Sequence, residues 1–229
     1  MENSHMWFLE NIDVTGFFCP KKMMVNPEKH VEKVFKKGEY IYLPDDHSDK
    51  IYFILYGRVK IGSYGDADRE IIKAVLSKGE VFGELALISD GKRGDFAIAM
   101  EETEVCIVNK RDIKNLLKDR SNLQTFFLQL FGTRIIEMEN RLESLVFKDS
   151  RTRIVDFLLE MASKKGERVG YETVVRKFLT HQEIANLTAT SRQTVTTVLN
   201  DLRNKGLIKF DRRRLLIRDK EKLSLEMNP

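Results

Sequence analysis

The spacing of apolar and polar positions changes partway along this chain. Between Gly38 and Asn109 the apolar residues come in short runs: "YIYL", "KIYFILY", "RVKIGSY", "EIIKAVL", "DFAIAM" and "EVCIVN". Eight of the 13 glycines fall between Gly38 and Gly94, so turns separate these runs at close intervals. Short β-rich runs punctuated this way predict an antiparallel sandwich or roll. From "KRDIKNLLKDRSNLQTFFLQLF" onward the period is helical. Leu128, Phe131, Ile135, Met138, Leu142 and Leu145 then alternate spacings of three and four. That is a heptad seam, and it predicts a long helix paired with a second copy of itself. Arg134 and Glu139 lie beside the seam, where a parallel pair would place bridging charges.

A second helix, "RIVDFLLEMA", follows, with Asp149 as its expected N-cap or hinge. "SKKGERVG" reads as a loop. Thr180 with Glu183 three residues on is a capping box, opening a helix through Leu187. "TATS" breaks the period, and Ser191 caps a further helix with Val195, Val198, Leu199 and Leu202 facing inward. Two short helices across a tight turn, with small Ala185 at their crossing, predict a helix-turn-helix. Ala189 stands where such a turn prefers glycine; a left-handed conformation there costs about 1 kcal/mol. "GLIKF" and "LLIRD" flank Arg212, Arg213 and Arg214 and predict a two-stranded wing with arginines at its tip.

Charge sharpens this division. Residues 149–229 hold 17 Lys and Arg against 11 Asp and Glu, whereas residues 1–148 hold 22 against 24. The excess of positive charge therefore lies with the helix-turn-helix, which points to nucleic acid. The outward positions of the last helix are Arg192, Gln193, Thr196, Thr197 and Asn200. Arginine matches the guanine edge and glutamine the adenine edge, while wing arginines suit phosphates. Together with Thr180, Gln182 and Ser191, these residues and Arg212, Arg213 and Arg214 form the candidate DNA-binding surface.

Composition excludes several alternatives. No run of 18 or more apolar residues occurs, so no membrane span is expected. "MENSHMWFLENI" lacks a basic start before an apolar stretch, so no secretory signal is expected. The two cysteines, Cys19 and Cys106, are too few for a disulfide framework or an iron–sulfur cluster, and a reducing cytoplasm is the expected compartment. Cys106, in "EVCIVN", is expected to face the core. His5, His30, His47 and Cys19 have no recognisable haem-ligand context, and no metal site is expected. Nucleophile elbow, HExxH and Walker loop are all missing, so no enzyme is predicted.

Over residues 30 to 218 the order of these parts resembles the Crp/Fnr family of bacterial transcription regulators, named for the cyclic-AMP receptor protein and the fumarate-nitrate regulator. The segments that carry the resemblance are "FGELALI", "LVFKDSRTRIVDFLLEMA" and "SRQTVTTVLNDLRNKGLI". It implies an α+β chain with an N-terminal β-roll of the cyclic-nucleotide-binding type (1–120), a long dimerisation helix (121–148) and a C-terminal winged helix-turn-helix (149–229). It further implies a homodimer on a two-fold symmetric duplex, RNA polymerase as a partner, and a small effector in the roll that repositions the recognition helices. Ser191 and Arg192 match the family's phosphate and guanine contacts. Gln193 stands where many members have Glu, and Thr197 where the cyclic-AMP receptor has a second base-reading Arg. The half-site is therefore expected to depart from the common one, with specificity loosened by about 1–3 kcal/mol at one base pair.

The same resemblance nominates Gly83, Glu84, Leu85, Lys92, Arg93, Gly94, Asp95, Arg134 and Met138 as effector-pocket candidates. In cyclic-AMP receptors Gly-Glu-Leu is followed about ten residues on by Arg-Ser/Thr-Ala, whose arginine pairs with the cyclic phosphate. Here Gly94 and Asp95 occupy those two positions, and Arg93 is displaced by one. Met138 and Glu139 replace the Thr-Ser pair that the receptor offers to the base. Cyclic AMP is therefore not expected, leaving a different small effector or none. Asp95 would repel a phosphate by about 1 kcal/mol or more unless paired with Lys92 or Arg93. The alternative from another class is a cyclic-nucleotide-responsive module acting on a protein partner. Outward-facing Arg192 counts against it.

Overall fold

The computed structural model describes residues 30–65, 70–211 and 213–227. His5, Cys19, Arg212 and the side chain of His30, named above, lie outside the described residues. The chain divides into two compact units, Met1–Ile135 and Ile136–Pro229, with the division inside the long helix.

The first unit carries strands β1 (His30–Phe35), β2 (Tyr40–Tyr42), β3 (Lys50–Tyr56), β4 (Arg58–Tyr64), β5 (Glu70–Ser77), β6 (Val81–Phe82), β7 (Phe96–Ala99) and β8 (Thr103–Asn109). They form two antiparallel sheets, in the orders β1-β8-β3-β6 and β2-β7-β4-β5, which make up the predicted β-roll. Helices α1 (Lys110–Asp119) and α2 (Ser121–Phe147) follow.

Ile51, Tyr52, Phe53 and Ile54 of β3 are all buried, because both faces of that strand are covered. Tyr52 and Ile54 join Phe35, Tyr42, Val59, Ile61 and Phe82 in a core inside the roll. Ile51 and Phe53 face the other way, toward Ile113 of α1 and Leu123, Phe126, Phe127 and Leu130 of α2. Cys106 is buried in this second core, as expected.

The second unit adds α3 (Ser150–Lys165), β9 (Gly166–Val169), β10 (Glu172–Arg176), α4 (His181–Thr188), α5 (Arg192–Asn204), β11 (Ile208–Phe210), β12 (Arg214–Ile217) and α6 (Lys220–Ser224). Asp149 caps α3, its Oδ1 accepting the Thr152 N–H at 2.7 Å. The loop expected at "SKKGERVG" is absent. Ser163 to Lys165 continue α3, and Gly166–Val169 is a strand paired with β10. Four residues with little apolar content carry no strand signal of their own; β9 exists because β10 offers it a ladder. Gly166 permits the close approach, since a Cβ there would lie 2.2 Å from the Ala162 carbonyl oxygen. The wing is accordingly part of a four-stranded sheet, β11-β12-β10-β9.

Ion pairs fasten the C-terminal turn in place. Arg151 of α3 bonds Asp201 of α5 at 2.6 Å and also Glu226. Lys205 reaches the same Glu226 at 2.8 Å. The α5 helix is thereby tied to α3 on the side away from its N-terminus.

Candidate nucleic-acid interface and roll pocket

The helix-turn-helix is built by local capping at both of its helices. Thr180 Oγ1 accepts the Glu183 N–H at 3.2 Å, and Glu183 Oε2 accepts the Thr180 N–H at 2.7 Å, completing the predicted box. Ser191 Oγ accepts the Thr194 N–H at 3.0 Å and so starts α5. Val195, Val198, Leu199 and Leu202 are buried, as their spacing predicts.

Between the helices, Ala189 takes the left-handed conformation (φ 50°, ψ 49°) that the sequence placed there at a cost. Two arginines offset it. Arg141 of α2 donates to the carbonyls of Asn186 and Leu187 at 3.4 and 3.0 Å. Arg153 of α3 donates to those of Thr188 and Ala189 at 2.9 and 3.2 Å. Four successive carbonyls at the end of α4 thus receive cationic donors, where the helix leaves them unbonded and its dipole is negative.

At the start of α5, Arg192, Gln193 and Thr197 are exposed and Asn200 is half-buried. Thr196 is engaged internally: its hydroxyl donates to the Arg192 carbonyl at 2.9 Å and lies 2.9 Å from His181 Nδ1. Gln182 is exposed and donates to Asn186 Oδ1 at 2.8 Å.

In the wing, Asp211 Oδ1 accepts the N–H groups of Arg213 and Arg214 at 2.7 and 3.0 Å. Those bonds, first that of the Arg213 N–H, hold the Asp211 carboxyl below the usual range. Asp211 also takes the Arg214 guanidinium at 3.1 Å, and both arginines remain exposed. The β10–β12 register sets Arg176 opposite Arg214, with Lys177 next in the chain. Arg176, which pairs with Glu167 at 2.9 Å, and Lys177 are both exposed. Strand pairing alone brings them to the wing, so no local sequence signal marked them.

The roll pocket departs more from expectation. Gly83 turns left-handed (φ 74°) and leads into a 3-10 turn over Glu84–Leu87. Glu84 is buried, which pushes its carboxyl up; Arg134, 4.0 Å away, opposes that shift. Arg134 also donates to the Val81 carbonyl at 3.4 Å, so it faces its own roll.

Arg93 is 6% exposed. Its guanidinium donates to the Gly83 carbonyl at 3.1 Å and to the Lys50 carbonyl, and sits 4.5 Å from the centre of the Tyr42 ring. A Cβ on Gly83 would lie 2.9 Å from Arg93 Nη1, so the glycine and the arginine form one packed unit. The main chain of Arg93 is fixed too, through Asp45 and Asp46 at 2.9 and 2.8 Å.

Lys92 is exposed and pairs with Asp45 at 3.6 Å. Asp95 would spare a phosphate only if paired with Lys92 or Arg93. It pairs instead with Lys73 at 3.6 Å, while burial first, and then the charge of Asp95, raises the pKa of the Tyr42 hydroxyl. Strand β5 supplies that lysine, while Lys92 and Arg93 are held by the 45–46 turn and the Gly83 turn. Gly94 is exposed, Leu85 is 52% exposed, and Met138 belongs to the second unit. Gly83, Glu84, Arg93 and Arg134 are therefore gathered; Leu85, Lys92 and Gly94 are not.

Along α2, Leu128, Ile135, Met138, Leu142 and Leu145 are exposed at 42–74%, and Phe131 is half-buried. Among the described residues no helix is long and apolar enough to cross a membrane, and no cluster of His, Cys, Asp and Glu could hold a metal ion.

Residues 32–120 match the family described as cyclic nucleotide-binding domain, and residues 152–225 match the Crp-like helix-turn-helix domain. The chain is 29% identical over 190 residues to the CRP-like cAMP-activated global transcriptional regulator of Mycobacterium tuberculosis, covering 83% of this chain and 85% of that one. It is 30% identical over 189 residues to the global nitrogen regulator of a Nostoc species, covering 82% and 85%. Among solved structures, a mutant of CooA from Carboxydothermus hydrogenoformans superposes with a TM-score of 0.75 at 24% identity, over 97% of this chain and 95% of that one. A CRP-family regulator of Thermus thermophilus gives a TM-score of 0.70 at 27% identity, over 86% and 97%. Regulators with this helix-turn-helix bind DNA and function as dimers. With its β-roll, long helix and Crp-like helix-turn-helix, the chain belongs to the Crp/Fnr family and is a DNA-binding transcription regulator.

Proposed function

We propose that the protein acts as a homodimer joined along the α2 seam and reads a two-fold symmetric duplex with the N-terminal end of α5. The observation that carries this is the exposure of Arg192, Gln193 and Thr197 at the capped start of α5, in a unit whose wing presents Arg213 and Arg214. Arg192 takes a guanine edge and Gln193 an adenine edge, with Thr197 and Asn200 at neighbouring base pairs. Thr180, Gln182, Ser191 and Arg212 to Arg214 fix the register on phosphates. Thr196 positions this surface from behind, since its hydroxyl is already engaged. The protein works in the cytoplasm by binding rather than catalysis, and RNA polymerase is its partner at promoters. Residues 1–120 serve as the sensor, 121–148 as the dimer helix and 149–229 as the reader.

The roll does not take cyclic AMP in the manner that the name of the mycobacterial relative implies for that protein. The support is Arg93, whose guanidinium is already committed to two main-chain carbonyls and an aromatic ring. A different small effector, or none, controls this chain.

Selection of bound duplexes from a random pool tests the DNA assignment. A palindromic motif, with binding that weakens steeply as salt rises, is expected; an unpatterned pool would refute it. Calorimetry with cyclic AMP is expected to give no heat of binding, and micromolar affinity would overturn the account of Arg93.

A further inference from the structure

We propose that His181 is a proton-linked DNA contact: its Nε2 takes up a proton when duplex docks, so affinity rises as pH falls. The proposal rests on the assignment of α5 to the duplex.

His181 opens α4 directly after its cap, and its ring lies between two other elements. On the α5 side Nδ1 is 2.9 Å from Thr196 Oγ1. On the wing side the ring meets the edge of Phe210 at 5.7 Å between centroids. Thr196 has a single hydroxyl proton, and it goes to the Arg192 carbonyl at 2.9 Å. The same oxygen must then accept from His181, which puts the proton of the neutral imidazole on Nδ1 and leaves a lone pair on Nε2.

The charged groups around this ring come from each packed element. Arg192 approaches from α5, and Arg203 stacks on the same Phe210 of β11 at 5.4 Å. On its own helix, Glu183 is already bonded to the Thr180 N–H and hydroxyl. The positive end of the α4 dipole acts in the same sense as the two arginines. Burial first, then Arg192, hold the imidazole below its ordinary range.

A backbone phosphate supplies the anion that this surrounding lacks. His181 lies between Thr180 and Gln182, two proposed phosphate contacts. A phosphate there lifts the imidazole pKa, and Nε2–H becomes a charge-assisted donor to it. Nδ1–H keeps its bond to Thr196, so the base-reading helix stays positioned in both protonation states. Binding then takes up one proton per protomer between the lower free pKa and the higher bound pKa. Above both values and below both values affinity is flat. Between them it rises as pH falls, by at most about tenfold per pH unit for each engaged protomer.

The test follows the His181 ring proton by NMR in the full-length dimer, with and without the selected duplex, beside duplex affinity from about pH 5.5 to 8 at fixed salt. His181→Asn keeps a donor near Nδ1 and cannot be protonated there; His181→Arg carries a fixed charge. Expected are an upward shift of the titration midpoint on adding DNA, a wild-type affinity that falls with rising pH, and flattened profiles for both variants. A midpoint unmoved by DNA, or an Asn variant with the wild-type slope, would overturn the proton linkage while leaving the DNA assignment intact. No binding by any of the three proteins at any pH would sink both.

Discussion

Arg93 shows how one side chain can change the meaning of a motif. Its guanidinium is buried against the carbonyls of Gly83 and Lys50, so its removal would strip a cationic donor from both, leave Gly83 with only the Ala86 N–H, and leave two tyrosine rings without a cation. Arg93→Met is expected to lower the stability of the roll by about 3 kcal/mol, read as a lower urea midpoint. A phosphate ligand would behave the opposite way, with stability kept and ligand affinity lost. Sequence could not show this role, because an arginine between lysine and glycine in a turn has the signature of a solvated residue. The convergence that buries it involves Lys50 and Tyr42, which are remote in the chain. Ala189 was legible by contrast, since a helix-turn-helix dictates the conformation of its turn from local spacing alone.

At the scale of elements, what was legible is what side chains do to their own backbone. Thr180 with Glu183, Ser191 and Asp149 were readable as caps because each bonds an N–H three residues ahead. The heptad positions of α2 were readable for the same reason, as a local period. The features that escaped were non-local. Strand β9 exists through its pairing with β10, and the end of α4 is closed by Arg141 and Arg153 from two other helices. That closure is a prediction in itself. Arg141→Met or Arg153→Met should each destabilise the second unit by about 2 kcal/mol, with hydrogen exchange rising first at Ala189 and Thr190. The double change should cost less than the sum, because both arginines support the same turn. Unchanged exchange at those amides would show that the capping is incidental.

For the whole molecule, the proposed function requires both the exposed seam and the basic surface. Leu142 is 60% exposed on the seam, a costly way to leave leucine unless a second copy covers it. Leu142→Glu is expected to give a monomer in sedimentation, with affinity for the selected duplex reduced about a hundredfold or more as the link between half-sites is lost. A dimer that survives this change would move the interface elsewhere. The central claim, that the start of α5 reads sequence, is tested most directly by competition between the selected duplex and a scrambled one, for the wild-type protein and Arg192→Ala. The wild-type dimer should prefer the selected duplex, and Arg192→Ala should remain dimeric while losing about 1–3 kcal/mol of that preference per half-site. Full preference retained without Arg192, or no preference in the wild type, would contradict it.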